Sequence, residues 1–128
     1  MANEFPAEIE QFIAQHIESL AQLELLLLLR REPSRGWTCH ELSKQLYITP
    51  DVCASIVADL ERRGFLLRDA ANNDLYWYRS AGTATDQLID QLADLYQQRR
   101  VAVITQIYSR PVKNVQTFAD AFRLRRES

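Results

Sequence analysis

The sequence predicts a mainly α-helical fold with one small β-hairpin. Three glycines and four prolines in 128 residues are too few for the many tight turns of an all-β chain. Apolar residues recur at spacings of three and four over much of the length, as on a helix face that packs inward. Two short aromatic-rich runs, 65–68 and 75–79, flank the polar cluster Asp69-Ala-Ala-Asn-Asn-Asp74, which reads as a hairpin with its loop. With 47% apolar residues the chain can bury a core, and its length suits one domain with an extension. The division read here is a folded unit 1–110, centred on 37–80, and a basic amphipathic tail 111–128.

The elements follow in order. From Ala7 to about Glu32, Ile9, Phe12, Ile13, Ile17, Leu20, Leu23 and Leu27 form one stripe, predicting a single helix that Pro33, Ser34 and Gly36 end. Leu25 to Leu29 is apolar around the whole circumference and needs cover on every side, which a second subunit is expected to give. Thr38-x-x-Glu41 is a capping box opening a second helix, with Leu42 and Leu46 on one face. Thr49-Pro50 opens a third, as N-cap and first helical residue, running to Arg63 before the left-handed stop at Gly64. Trp37 is placed to add a short third strand beside the hairpin. In that hairpin, alternation sends Trp77 to one face and Tyr76 and Tyr78 to the other, one set being core. A long helix over 85–108, capped by Thr85 or Thr83, carries Leu88, Ile89, Leu92, Leu95, Tyr96, Val103, Ile104 and Ile107, with a polar interruption at 97–100. The first and long helices are expected to pack together and pair two subunits into a homodimer.

Charge is unevenly spread. Residues 1–98 carry a net −7 and residues 99–128 a net +5, so attraction to a polyanion is concentrated in the tail. No secretory leader is read, and the leucine run is far short of the roughly 20 residues that span a bilayer, so a cytoplasmic chain without membrane insertion is expected. No phosphate loop, nucleophile elbow or HExxH is present, and an enzyme is not expected. Cys39, His40 and Cys53 lack paired metal-ligand spacing, so no metal or cofactor is expected. Cys53 reads as a small core residue. Cys39 is a candidate redox thiol, since cysteines on adjacent helices can approach each other.

Two helices around a tight turn, followed by a hairpin, is the order of a winged helix-turn-helix, here flanked by N- and C-terminal helices. That fold is used mostly to bind DNA. Residues 37–79 resemble the winged helix of the multiple-antibiotic-resistance (MarR) and phenolic-acid (PadR) regulator superfamilies. The resemblance rests on Trp37-Thr38, Glu41-Leu42, Leu46, Ile48-Thr49, the ending Leu60-Glu-Arg-Arg-Gly64 and Phe65-Leu66. It implies a dimeric transcription regulator whose flanking helices pair the subunits.

On helix 50–63, Cys53, Ile56, Val57 and Leu60 form the inward stripe. A turn of about 100° per residue puts Asp51, Ser55, Ala58, Asp59 and Arg62 outward. A helix in the major groove reads base edges through such a face, and Val52 or Ala54 would meet a thymine methyl. Candidate DNA contacts are therefore Lys44, Thr49, Asp51, Val52, Ser55, Asp59 and Arg62, with Arg68 and Arg79 on the wing. Two aspartates on that face and a net −1 over residues 36–80 argue against strong phosphate binding by this segment. The alternative is a winged-helix adaptor that has lost DNA binding and contacts another protein. The tail has its own candidates, Phe118, Phe122, Arg123, Arg125 and Arg126, either as a phosphate-binding arm or as an amphipathic segment docking a partner.

Overall fold

The computed structural model describes residues 5–69, 71 and 75–109. Among them the chain forms six helices and one antiparallel hairpin. The helices are α1 (Ala7–His16), α2 (Leu20–Arg31), α3 (Cys39–Leu46), α4 (Pro50–Arg62), α5 (Thr83–Gln98) and α6 (Arg100–Tyr108). The strands are β1 (Leu66–Arg68), inserted after α4, and β2 (Tyr76–Tyr78), before α5.

The single helix expected over 7–32 is instead two, bent by 109°. Ile17 takes an extended conformation, and Ser19 becomes the N-cap of α2, accepting from the Gln22 backbone N–H at 3.1 Å. The Gln22 side chain reaches back to accept from the Glu18 N–H at 2.6 Å. Ser19-x-x-Gln22 thus satisfies two amides that a helix start leaves without partners. The stripe hides this break because Ile17 stays fully buried through the bend, continuing the apolar spacing without the helix.

The leucine run needs no second subunit for its cover. Leu23, Leu25, Leu26, Leu28 and Leu29 are all buried within one chain, and Leu27 is half-buried against the same core. α2 packs against α3, α4, α5 and β2, so neighbours approach it from several sides. Each such leucine removed from water contributes about 1.5–3 kcal/mol, which makes α2 the centre of the core.

α3 opens with both halves of the Thr38–Glu41 capping box at 3.0 Å. Its end is Tyr47, whose left-handed backbone (φ 57°) makes the turn into α4. Thr49 caps α4 and Pro50 is its first residue. After Arg63 the chain closes a Schellman motif. Gly64 (φ 87°) donates to Glu61 O and Phe65 donates to Leu60 O at 2.9 Å, satisfying the last carbonyls.

The hairpin pairs Leu66 with Tyr78, Leu67 with Trp77 and Arg68 with Tyr76. Trp37 adds a one-residue bridge to Tyr76, exchanging backbone bonds of 2.9 and 2.7 Å. As alternation requires, Leu66 and Tyr78 face the core, while Leu67 is half exposed. Trp77 lies across Gly36, where a Cβ would meet its ring at 2.7 Å. At the wing's root the Tyr78 hydroxyl donates to Asp86 on α5, and Ser80 donates to the same carboxylate at 2.7 Å.

The long helix expected over 85–108 begins at Thr83 without a side-chain cap and breaks at Arg99. Asp86, which a threonine cap would have engaged, holds Tyr78 and Ser80 instead. The polar stretch 97–100 is the break. Arg99 leaves helical geometry (φ −136°, ψ 57°), and α6 then packs on α1. The Leu20 backbone N–H donates to the Tyr108 hydroxyl at 2.9 Å, tying the end of α6 to the start of α2.

Gly36→Ala places a methyl inside the Trp77 ring contact and is expected to lower unfolding stability by about 1–3 kcal/mol. Urea unfolding followed by tryptophan emission would measure it. An unchanged midpoint would show that the wing does not rest on Gly36.

Candidate nucleic-acid interface

α4 presents its inward stripe as the sequence predicts, with Cys53, Ile56, Val57 and Leu60 buried. Its exposed side carries Asp51, Val52, Ala54, Ser55, Ala58, Glu61 and Arg62. Thr49 is exposed, and its oxygen already accepts from the Val52 N–H at 3.2 Å as the cap of α4. Asp51 lies in the first turn, where a carboxylate complements the positive end of the helix dipole. Lys44 is exposed on α3. Arg68 and Arg79 are exposed at opposite ends of the hairpin, Arg79 anchored by its backbone N–H to Phe65 O at 3.0 Å. Phe118, Phe122, Arg123, Arg125 and Arg126 lie outside the described residues.

Asp59 departs from its expected place. It is half-buried, and three side chains converge on it, one from α2 and two from the end of α4. Gln22 Nε2 of α2 donates at 2.5 Å, Arg62 Nη2 at 2.7 Å and Arg63 Nε at 2.8 Å. Arg63 in turn donates to Glu18 at 2.7 Å and to the carbonyl of Gln15 at 2.7 Å, spanning the α1–α2 bend. The rotation angle alone put Asp59 outward. It sits instead at the edge of the face, where the bend between α1 and α2 approaches α4.

The electrostatics follow from this geometry. Burial by itself would raise the Asp59 pKa. The hydrogen bond and charge of Arg63, with Gln22 and Arg62, outweigh it and hold the carboxyl below its usual range. His16, packed between the rings of Phe12 and Phe65 at centroid distances of 5.2 and 5.0 Å, is pushed down by burial and by Arg63, against a smaller pull from Asp59. Arg62 keeps a side chain 71% exposed despite its ion pair, so the charge that neutralises Asp59 remains open to solvent.

Arg63 and Gln22 are not among the candidate contacts that the sequence offers, although Arg63, with Arg62 and Lys44, is a cation placed to neutralise the aspartates of this face. Their signals were present. Asp59 and Arg63 are an acid-before-base pair four apart on one helix, and Gln22 is the polar residue of a cap. No single described helix is long and apolar enough to cross a membrane, and the described residues hold no cluster of three or more potential metal ligands.

No family model and no curated protein matches this sequence. Solved structures do resemble the fold. MepR, a transcription regulator of the Staphylococcus aureus multidrug efflux pump MepA, aligns at TM-score 0.51 and 19% identity, over 94% of this chain and 90% of that one. The multiple antibiotic-resistance repressor (MarR) from Listeria monocytogenes aligns at 0.52 and 16% identity, over 94% and 82%. MepR from S. aureus in its DNA complex aligns at 0.53 and 16% identity, over 91% and 86%. At these identities the likeness carries the fold: the chain has the winged-helix fold of MarR-type regulators, as the resemblance of residues 37–79 implied.

Asp59→Asn is expected to cost about 1–3 kcal/mol at pH 7, because it takes from half-buried Arg63 one of its two counter-charges, leaving Glu18 alone. A carboxyl held below its usual range contributes fully above that range, and the contribution is lost as pH falls through the folded value. The gap between wild type and variant should therefore begin to narrow near about pH 4 and go on narrowing as pH falls further. Chemical unfolding of both proteins from pH 7 to pH 3 measures it, and a gap constant with pH would contradict the assignment.

Proposed function

We propose that this chain is a DNA-binding transcriptional regulator that acts as a homodimer, with α4 directed to the major groove and the β1–β2 wing beside it. The observation that carries the reading is the neutralisation of Asp59 by Arg62 and Arg63. A free carboxylate there would repel phosphate. Paired, it turns a guanidinium outward beside Ser55 and Ala58. The fold is also that of a MepR structure solved with DNA. Lys44 and Arg79 are exposed cations suited to phosphates, and Thr49, Val52, Ser55 and Arg62 are the side chains available to base edges or sugars. The basic residues of the tail add a further phosphate-binding arm to this proposal. A cytoplasmic location goes with it.

Pairing of subunits draws on α6. Val101 is 76% exposed and Tyr108 is 59% exposed, an apolar surface that a second copy would cover. A second reading, a winged helix that binds a protein instead of DNA, draws on one observation. The middle of the exposed α4 face is Ala54, Ser55 and Ala58, with Asp51 ahead of them, which offers few hydrogen-bond donors to bases.

The full chain is expected to retard duplex DNA from its own upstream region at low salt, with affinity falling steeply as salt rises. Lys44→Ala and Arg79→Ala should each lower the slope of log affinity against log salt by about 2, one phosphate contact being lost in each subunit of the dimer. No retardation of any duplex at low salt would leave the protein-binding reading. Val101→Glu should move the chain toward monomer in light scattering across concentration. A wild type that is monomeric throughout would remove the dimer.

A further inference from the structure

Cys39 and Cys53 lie within the helix-turn-helix but outside the face assigned to DNA. Cys39 is the first residue of α3 and half-buried. Cys53, one turn into α4, is fully buried. Both are free thiols, and their sulfurs are 3.6 Å apart, with Cys53 donating to Cys39. A disulfide bond is about 2.05 Å long, so each sulfur has less than about 1 Å to travel. A second observation points to the same place. Ser43, one turn along α3 from Cys39, is only 7% exposed, and among the described residues its hydroxyl has no hydrogen-bonding group to meet other than the Cys53 thiol. That hydroxyl is positioned to support negative charge on the Cys53 sulfur.

We propose that Cys39 and Cys53 form a thiol–disulfide couple, a modification site inside the helix-turn-helix whose substrate is a small-molecule disulfide. Exposure sets the order of events. A reagent reaches the sulfur of Cys39 first, because Cys53 is closed to solvent. Burial also pushes the Cys53 thiol up to about 12, so it is protonated at rest and serves as the second, resolving group.

In the first step the Cys39 sulfur attacks one sulfur of the reagent disulfide. A mixed disulfide forms on Cys39, and one reagent thiolate leaves and takes the Cys39 proton. In the second step the Cys53 sulfur attacks the Cys39 sulfur. The Cys39–Cys53 bond forms, the second reagent thiolate leaves, and it carries away the Cys53 proton. Two protein thiols are oxidised and one small disulfide is reduced to two thiols, so no further oxidant enters. The product bond closes the loop 39–53 around Tyr47, whose left-handed turn sets the angle between α3 and α4. The couple stands whether or not the fold binds DNA.

The test uses the full-length, fully reduced chain in oxidised glutathione, with acid quenching, alkylation and intact mass. The expected result is joint loss of both thiols, with a decrease of two hydrogens, no retained glutathione and full reversal by excess dithiol. Cys53→Ala should stop at a stable glutathione adduct on Cys39, and Cys39→Ser should resist modification. A lasting adduct on Cys39 in the wild type, chain-to-chain crosslinks as the main product, or two unmodified thiols throughout would each overturn the proposal. Should either variant fail to fold, the wild-type masses alone decide it.

Discussion

A helix that is apolar around most of its circumference leaves a small chain few options. α2 is that constraint here. Its leucines cannot face water, so every later element is placed by the need to cover one more side of it. α3 and α4 take one flank, β2 another, and α5 closes over Arg30, which forms a two-point ion pair with Asp90 at 2.9 and 3.0 Å. Bidentate pairing of this kind fixes an orientation as well as a distance. Enclosure by one chain also alters the argument for a dimer. What asks for a partner is the outer side of α6, and the leucine run does not.

The second organising interaction is polar. Asp59, Arg63, Gln22 and Glu18 join α4 to the bend between α1 and α2. This is a half-buried network in which every charge has an opposite within hydrogen-bond reach. Removing one member of such a set leaves another poorly solvated, so the members act as a unit. It also takes one of the two aspartates among the helix's outward candidates out of the exposed surface. One carboxylate is consumed internally, and the other, Asp51, stays where the helix dipole favours it.

Much of this was legible in the sequence because it is written in local rules. Thr38 and Glu41, Thr49 and Pro50, and Gly64 each announce a helix end through a backbone group that needs a partner, and each does so in the structure. Alternation divided the hairpin into two faces and left open which of them was inward. The parts that escaped depend on three-dimensional neighbours. Nothing in the spacing of Ile13, Ile17 and Leu20 distinguishes a straight helix from one that bends while keeping Ile17 inside. Asp59 was placed by rotation angle, which says which way a side chain leaves its own helix but not what a different helix brings to meet it. Of the residues that the rotation sent outward, Asp51, Ser55, Ala58 and Arg62 are exposed.

The two tryptophans of this chain occupy one neighbourhood. Trp37 is buried at the bridge to β2 with the Arg35 guanidinium 3.5 Å from its ring centroid, and Trp77 lies on the adjacent strand over Gly36. α1, α2, α5 and α6 contain none. Intrinsic emission therefore reads the seating of the wing against the entrance to α3 and is nearly blind to the helices that would pair two subunits. A spectroscopist following this protein has a built-in, label-free optical gauge of one half of the molecule.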